Sequence, residues 1–175
     1  AAEKADEARM TFDGKPLTVT KSGVTWGNRT LAPQDIIGLR WGLVQTSNQP
    51  PTVRHTVAFQ ARRGADIEVS WTTPRNLTEQ EKLWKNLLDA TFAYIVDAVV
   101  ADFRKSIDGG EILRVGSVPV HRTGVTLTAK GWFSDKEVVV PWTSLRSTLS
   151  NGAVELQDAN NPKATASLPM EATYN

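Results

Sequence analysis

The segment spanning residues 77–107 constrains the fold most, because it is long and regular enough to predict a helix. Thr78-Glu79-Gln80-Glu81 matches a capping box and places the first turn near Glu79, and Gly109-Gly110 marks the end of the helix. Apolar side chains recur every four residues in two neighbouring rows, which predicts one apolar face. The rows are Trp84, Leu88, Phe92, Val96 and Val100, and Ile95, Val99, Phe103 and Ile107.

This apolar face is expected to drift around the helix axis, because four residues advance about 40° beyond a full turn. The front half should therefore pack on the strands before it, and the rear half should reach the strands after it or another chain. Acidic residues interrupt the apolar content, so the segment is not a membrane span. They are Asp89, Asp97 and Asp102.

Short segments with alternating apolar residues predict antiparallel strands on both sides of the helix. In the first flank, Leu17 and Val19 are separated by a turn from Val24 and Trp26, which is the pattern of a hairpin with one buried face. A second hairpin brings Val57 and Phe59 back to Ile67 and Val69. Residues 1–9 are rich in alanine and paired charges, which predicts a short helical lead-in.

Composition excludes several classes of function. The 175 residues carry a formal net charge of +1, which gives no reason to expect a nucleic-acid partner. Cysteine is absent, so the chain has no disulfides and no thiolate ligands or nucleophiles, which fits a reducing compartment. No targeting signal is recognisable, and a cytoplasmic location is expected.

The two flanks of the helix resemble each other. Residues 21–26 (KSGVTW) align with residues 122–127 (RTGVTL), and a second pair of segments aligns in the next hairpin. We therefore predict a duplicated unit. The first copy covers residues 10–108 with its helix at 77–107, and the second copy covers residues 111–175 and ends before a helix. The second pair of segments is 57–60 with 154–157, continued by 69–71 with 166–168.

The first flank consists of short antiparallel strands closed by one C-terminal amphipathic helix. Its first turn is followed by Gly23-Val24-Thr25-Trp26 and then by Ala32-Pro33-Gln34-Asp35-Ile36. This arrangement resembles bacterial pleckstrin-homology-like domains. The resemblance implies two units in which a bent antiparallel sheet forms a small sandwich or barrel, with the helix plugging one end. It also implies binding of phosphoinositide headgroups, peptides or proteins. Members that bind lipid carry closely spaced basic residues on the first two strands. Here the loop between the first two strands offers only Lys21, so headgroup binding is not favoured.

The second copy lacks a helix of its own, so its apolar face needs another cover. Leaving each large apolar side chain in water would cost about 1.5–3 kcal/mol. The cover could be the rear of the 77–107 helix, the lead-in, residues beyond this sequence or a second chain, and the last solution would make an obligate dimer or a domain swap. The side chains concerned are Val125, Leu127, Val138, Val140, Val154 and Leu156.

Two groups of residues are candidate binding sites. Arg40, Arg54, Arg62 and Arg63 form a basic concentration that could grip a phosphate or a carboxylate, or could simply solubilise a hairpin tip. The dipeptide Trp132-Phe133 lies in a loop where periodicity gives no reason for large apolar groups. It is interpreted either as a partner contact or as a pair that packs back on the sheet.

Catalysis and metal binding are not expected. His55 and His121 are far apart in sequence and would need further ligands to hold a metal. Asp66 and Glu68 alternate on one strand, and an exposed carboxylate pair without a pocket usually serves solvation. We expect no cofactor.

Taken together, these patterns predict a β-rich α+β protein with two pleckstrin-homology-like units separated by a long amphipathic helix. The predicted function is a non-enzymatic interaction or scaffolding module. Its partner would be a protein or a second copy, bound through the helix or an exposed strand edge. The alternative is a module that binds anionic lipid or a phosphorylated ligand at a membrane surface through the arginine group.

Overall fold

The computed structural model describes residues 7–12, 15–74, 78–170 and 172–174. The chain forms two compact units, unit 1 over Ala1–Asp102 and unit 2 over Phe103–Asn175. Within the described residues the protein is β-rich, with antiparallel sheets and one long helical segment. This confirms the predicted β-rich α+β class in its general form.

Unit 1 contains two antiparallel sheets, and each strand pairs with the next one along the chain, as hairpins do. A short 3-10 turn at Pro33–Asp35 connects the sheets, and the helical segment follows them. The elements are β1 (Glu7–Phe12), β2 (Lys15–Thr20), β3 (Gly23–Trp26) and β4 (Arg29–Leu31) in the first sheet, β5 (Ile36–Asn48), β6 (Pro51–Ala61) and β7 (Ile67–Pro74) in the second, and then α1 (Thr78–Thr91), a π-helical segment (Phe92–Val96) and α2 (Asp97–Asp108).

The core of unit 1 follows the alternation seen in the sequence. Side chains two residues apart on one strand share a face, so Leu17 and Val19 are both fully buried. Phe59 on β6 lies directly opposite Leu39 on β5 and Ile67 on β7, and it is the largest fully buried side chain among the described residues. The helical segment adds Trp84, Leu87, Ala90, Ile95 and Val99 to this core.

The start of the chain differs from the predicted helical lead-in. Residues 1–6 lie outside the described residues, but Glu7 begins strand β1, which pairs with β2 in antiparallel register. Ala8 and Met10 are buried and Arg9 between them is exposed, which is the alternation of a half-buried strand. Long-range pairing with β2 therefore overrides the helical propensity of this alanine-rich stretch.

The predicted helix is observed, with a local irregularity. Leu77 lies outside the described residues, and the helical segment runs from Thr78 to Asp108 with the π-helical turn at its centre. Just before this turn, the buried Thr91 hydroxyl donates a hydrogen bond of 2.8 Å to the carbonyl of Leu87, which competes for an acceptor of the helical ladder.

One of the two predicted apolar rows is correct and the other is wrong in part. Ile95, Val99 and Ile107 are buried, as predicted for the second row. In the first row, Phe92 and Val100 are 46% and 41% exposed. The wider π turn rotates the faces after Thr91 relative to those before it, so a strict four-residue step does not describe the whole segment.

Unit 2 contains seven strands in one sheet with order β12-β13-β14-β10-β9-β8, and β11 pairs with β10 beside this path. The middle strand β10 pairs with β9 at its start and with β14 at its end, so both halves of the unit meet there. The strands are β8 (Leu113–Val115), β9 (Val118–His121), β10 (Gly124–Ala129), β11 (Lys136–Pro141), β12 (Leu145–Ser150), β13 (Ala153–Asp158) and β14 (Ala164–Pro169).

The apolar face of unit 2 is covered from within the chain. Val125, Leu127 and Val140 are buried in one cluster with Ile107 of α2, and Phe103 packs against the same cluster. The last turns of α2 therefore belong to unit 2, whereas the predicted division assigned the whole helix to the first copy. Of the covers considered above, the rear of the helix is the one observed.

The two units share one backbone feature at the aligned glycines. Gly23 begins β3 and Gly124 begins β10, and each lies against the carbonyl of the strand that follows, at Leu31 and Val140 respectively. In the second hairpin the predicted alignment is shifted. Val57 pairs with Val69, but Val154 pairs with Leu168 instead of Ala166. A shift of two residues keeps every side chain on its face, so alternation could not reveal it.

Candidate functional site

The four predicted arginines do not form one site. Arg54 and Arg62 are eight residues apart on and just beyond β6, which corresponds to roughly 26 Å along an extended strand. Arg40 lies on the neighbouring strand opposite Ala58, between these two positions. Arg54, Arg62 and Arg63 are close in sequence, which predicted a cluster. The extended strand β6 nevertheless separates Arg54 from Arg62 and Arg63.

Two of these arginines are also held in ion pairs. Arg40 reaches across β6 to Glu68 on β7, with 2.6 Å between Nη2 and Oε2. Arg62 contacts Asp102 of α2 at 2.6 Å, and its backbone N–H donates to the carbonyl of Asp35. These contacts tie strands and helix of unit 1 together, and they neutralise the charges that an anionic ligand would need.

The predicted carboxylate pair likewise has structural partners. Asp66 accepts a hydrogen bond of 2.9 Å from the backbone N–H of Ala61, which closes the β6–β7 turn, and Glu68 pairs with Arg40 as described. Each carboxylate is thus held by its own structural contact, and neither contact directs the two carboxylates towards one binding position. Within the described residues, no group of three or more His, Asp or Glu side chains is arranged to hold a metal ion.

The two histidines belong to different units, and His55 is the more unusual. It is 4% exposed on the central strand β6, and its ring stacks on Trp71 with centroids 4.9 Å apart. Trp84 of α1 meets both rings edge-on, at 5.4 Å from His55 and 5.5 Å from Trp71. His55 Nε2 is hydrogen-bonded to Thr73 Oγ1 at 3.0 Å. This aromatic cluster fastens the helix to the second sheet.

Burial lowers the pKa of His55 below its ordinary value, and the Glu81 carboxylate opposes this in part. Protonation would also require an acceptor at Nδ1, which is buried without a hydrogen-bond partner in the described part of the chain. Both features favour the neutral imidazole form of His55 in the folded protein.

The free energy of unfolding is expected to decrease as the pH falls below about 6.5, the ordinary histidine pKa. The pKa of His55 is lower in the folded chain than in the unfolded chain, so the unfolded chain binds more protons between these two pKa values. The stability that His55 contributes is therefore fully present above the unfolded pKa and is lost as the pH falls towards the folded pKa. Urea unfolding at several pH values measures the slope, which is at most about 1.4 kcal/mol per pH unit for one proton.

The variant His55→Gln should lose this part of the slope, since no titratable group remains at the position. His121→Gln, made in unit 2, is the matched control and should keep it. Equal slopes for wild type and His55→Gln would contradict the assignment to His55.

A second feature of unit 1 is β5, one of the two edge strands of its second sheet. Among the described residues this 13-residue strand pairs with β6 only, so no other strand in this part of the chain lies along its outer side. Leu39, Trp41 and Leu43 share one face of β5, and their burial falls along the strand from buried to half-buried to 52% exposed. The apolar face thus continues beyond the part that the core covers.

The π-helical turn completes this surface. The Phe92 ring lies edge-on to Trp41, with centroids 5.3 Å apart, and remains 46% exposed. We call Trp41, Leu43 and Phe92 the β5 edge patch. The sequence placed Phe92 in a predicted apolar row of the helix, and neither Trp41 nor Leu43 was among the candidate binding residues. No sequence signal identified β5 as an edge strand.

Trp132 and Phe133 lie at the tip of the β10–β11 loop of unit 2 and are 93% and 102% exposed. Of the two interpretations considered for them, packing back on the sheet is wrong. A contact with a partner stays a prediction.

No helix in the described ranges is both long enough and apolar enough to cross a membrane. The chain matches no protein-family model, no curated protein and no solved structure. The site must therefore be interpreted from its geometry, which combines a free strand edge in unit 1 with an exposed apolar patch beside it.

Proposed function

We propose that the chain is a non-enzymatic binding module built from two pleckstrin-homology-like units. The element order supports this proposal, because unit 1 has a four-stranded sheet, a three-stranded sheet and a closing helix in that sequence. Unit 2 repeats seven strands, and its β10 begins with a glycine in the same close approach as that of β3. The last turns of α2 serve unit 2 in place of a helix of its own.

In this proposal unit 1 captures an extended segment of a partner protein along β5. The observation that carries the proposal is the free edge of a 13-residue strand beside the β5 edge patch. An added strand would pair its backbone with the outward-facing N–H and C=O groups of β5, which supplies affinity for any sequence. Side chains on alternate positions of the bound segment would contact Trp41, Leu43 and Phe92, which supplies a preference for apolar residues at those positions.

The partner is expected to be a protein segment because the edge offers backbone complementarity. The four candidate arginines are spread over β5, β6 and the turn after β6, and Arg40 and Arg62 are engaged in ion pairs. A phosphorylated headgroup would find no convergent set of donors there.

The test starts from peptides selected by phage display against the whole chain, with binding measured by fluorescence anisotropy. The variant Leu43→Lys/Phe92→Lys is expected to weaken binding of a selected peptide by about tenfold or more, because it removes two apolar contacts and places charges at the edge. Methylation of alternate backbone nitrogens in the peptide should weaken binding to a similar degree, because strand addition requires those donors.

Leu83→Lys is the matched control, since it makes the same change at an exposed leucine of α1. Phe92 lies nine positions after Leu83 in the helical segment. Nine positions correspond to about two and a half turns, so the two side chains lie on opposite sides of the helix. Peptides that bind equally well to the double variant, or that tolerate methylation of every alternate amide, would refute strand addition at β5. Light scattering of the wild-type chain and of Leu43→Lys/Phe92→Lys separately tests whether a second copy occupies the same edge.

A further inference from the structure

The loop between β10 and β11 exposes Trp132 and Phe133 more completely than any other large apolar side chains of the described residues. Their exposures are 93% and 102%, whereas the next highest value is 70% at Leu149. A phenylalanine at this exposure makes essentially no contact with its own unit. Such a pair at the tip of a loop is convex and is surrounded by water on all sides.

The loop presents these two rings from a fixed base. Ala129 and Lys136 are paired strand residues on either side of it, and the backbone N–H of Lys130 donates to the carbonyl of Lys163 at 3.1 Å. Within the loop, Gly131 lies so close to the carbonyl of Ser134 that a Cβ at this position would overlap it. The turn therefore requires glycine, and it holds the two rings at its apex.

The four charged side chains of residues 130–137, which we call the collar, balance one another, and the exposed Lys163 at the base of the loop adds one positive charge. Lys130 and Lys136 are matched by Asp135 and Glu137, and all four side chains are exposed. This collar therefore has no net preference for an anionic or a cationic partner. Lysine stems can lie along an apolar surface while their ammonium groups stay in water.

We propose that Trp132 and Phe133 insert into the interfacial layer of a phospholipid bilayer while the charged collar remains among the headgroups. Aromatic rings, and indole above all, are favoured at this level because one part of the ring is apolar and the N–H can bond to water or headgroups. A convex tip fits a deformable lipid layer without a complementary pocket. Insertion of two side chains gives weak, reversible attachment, no stronger than a single acyl chain.

Because the collar is neutral, attachment should occur on uncharged lipid and respond little to salt. This separates the insertion tip from any arginine-mediated binding to anionic lipid, which would weaken steeply as salt screens the charges. It is also independent of peptide capture by β5, since the two surfaces belong to different units.

The experiment is sedimentation of the whole chain with sucrose-loaded phosphatidylcholine vesicles over a range of lipid concentrations. The wild type is expected to bind at about millimolar lipid, and Trp132→Ser/Phe133→Ser to lose roughly a hundredfold in partition coefficient. Raising the salt concentration fivefold should change wild-type binding by less than about twofold. The matched control Val139→Ser/Leu149→Ser removes two other exposed apolar side chains of unit 2 and should bind like the wild type.

Depth is measured with brominated lipids, which quench tryptophan fluorescence in the bilayer. Quenching should occur in the wild type and disappear in Trp132→Phe, although Trp132→Phe still binds. Three results would overturn the proposal: wild-type protein that stays in the supernatant, equal partition of wild type and Trp132→Ser/Phe133→Ser, or light scattering in which that double variant converts a dimer to a monomer. The last result would assign the tip to self-association.

Discussion

Phe59→Ala is expected to lower the free energy of unfolding of unit 1 by about 3–5 kcal/mol. Phe59 is fully buried at the centre of β6 and is flanked by Leu39 and Ile67 on the neighbouring strands. Its removal deletes the apolar contacts of a whole ring and leaves a cavity that two paired strands cannot close by small shifts. Such a loss is a large fraction of the 5–15 kcal/mol typical of natural domains.

Urea unfolding followed by tryptophan fluorescence measures this change. The signal reports mainly on unit 1, because Trp84 is buried in its core while Trp132 of unit 2 is already exposed in the folded state. Leu149→Ala is the matched control and should change stability by no more than about 0.5 kcal/mol, since this leucine is 70% exposed. A loss below 1 kcal/mol for Phe59→Ala would contradict the observed core.

Gly124→Ala is expected to destabilise unit 2 by about 3 kcal/mol or more. A Cβ on Gly124 would overlap the carbonyl oxygen of Val140 and lie 2.8 Å from the Cα of Pro141. Both atoms belong to the backbone of β11, so no side-chain rotation can relieve the clash. The strand would have to move away, which breaks the pairing of Gly124 with Pro141 and exposes the core behind it.

Hydrogen exchange of the β10 and β11 amides, measured by mass spectrometry, is the direct readout, because it localises the loss of protection. Gly152→Ala is the control: its φ of 74° favours glycine, but a Cβ there would meet no atom within 4 Å. It should cost only about 1–2 kcal/mol and leave β10 and β11 protected. Unchanged protection in Gly124→Ala would contradict the close approach of these strands.

The same experiment on Gly23 bears on the proposed duplication. Gly23 makes a similar approach to Leu31 and Ala32 in unit 1 and also has a φ of 131°, so Gly23→Ala should destabilise that unit at least as much. Superposition of these two glycines was the basis of the alignment of the flanks. A backbone constraint shared by these two positions is what the proposed duplication predicts.

Local patterns in the sequence were enough to predict most elements of secondary structure. Alternation at Leu17 and Val19, and at Ile67 and Val69, requires only that one face of the strand is buried and the other faces solvent, and this is a property of neighbouring residues. The helix was predictable for the same reason. The exceptions arose where a distant partner decided the outcome, as for β1, whose pairing with β2 replaced a helical preference.

The binding surfaces could be predicted only in part. Trp132 and Phe133 were recognisable because large apolar residues without periodicity need another explanation, but their full exposure is a tertiary fact. The aromatic cluster around His55 joins three consecutive elements, β6, β7 and α1, but it depends on the register of the β6–β7 hairpin and on the packing of α1 against it. Arg54 and Arg62 are close in sequence, yet the extended strand between them holds them apart.

The sequence by itself determined which residues alternate, where the helix lies and which residue types are absent, because these properties depend on local geometry and composition. Only the tertiary structure decided which strand is an edge, which apolar side chains remain exposed and which end of the helix serves which unit. Strand order and burial depend on pairing between distant segments, and alternation is unchanged when a strand shifts by two residues or changes its neighbours. For this reason the free side of β5 became visible only in the folded chain.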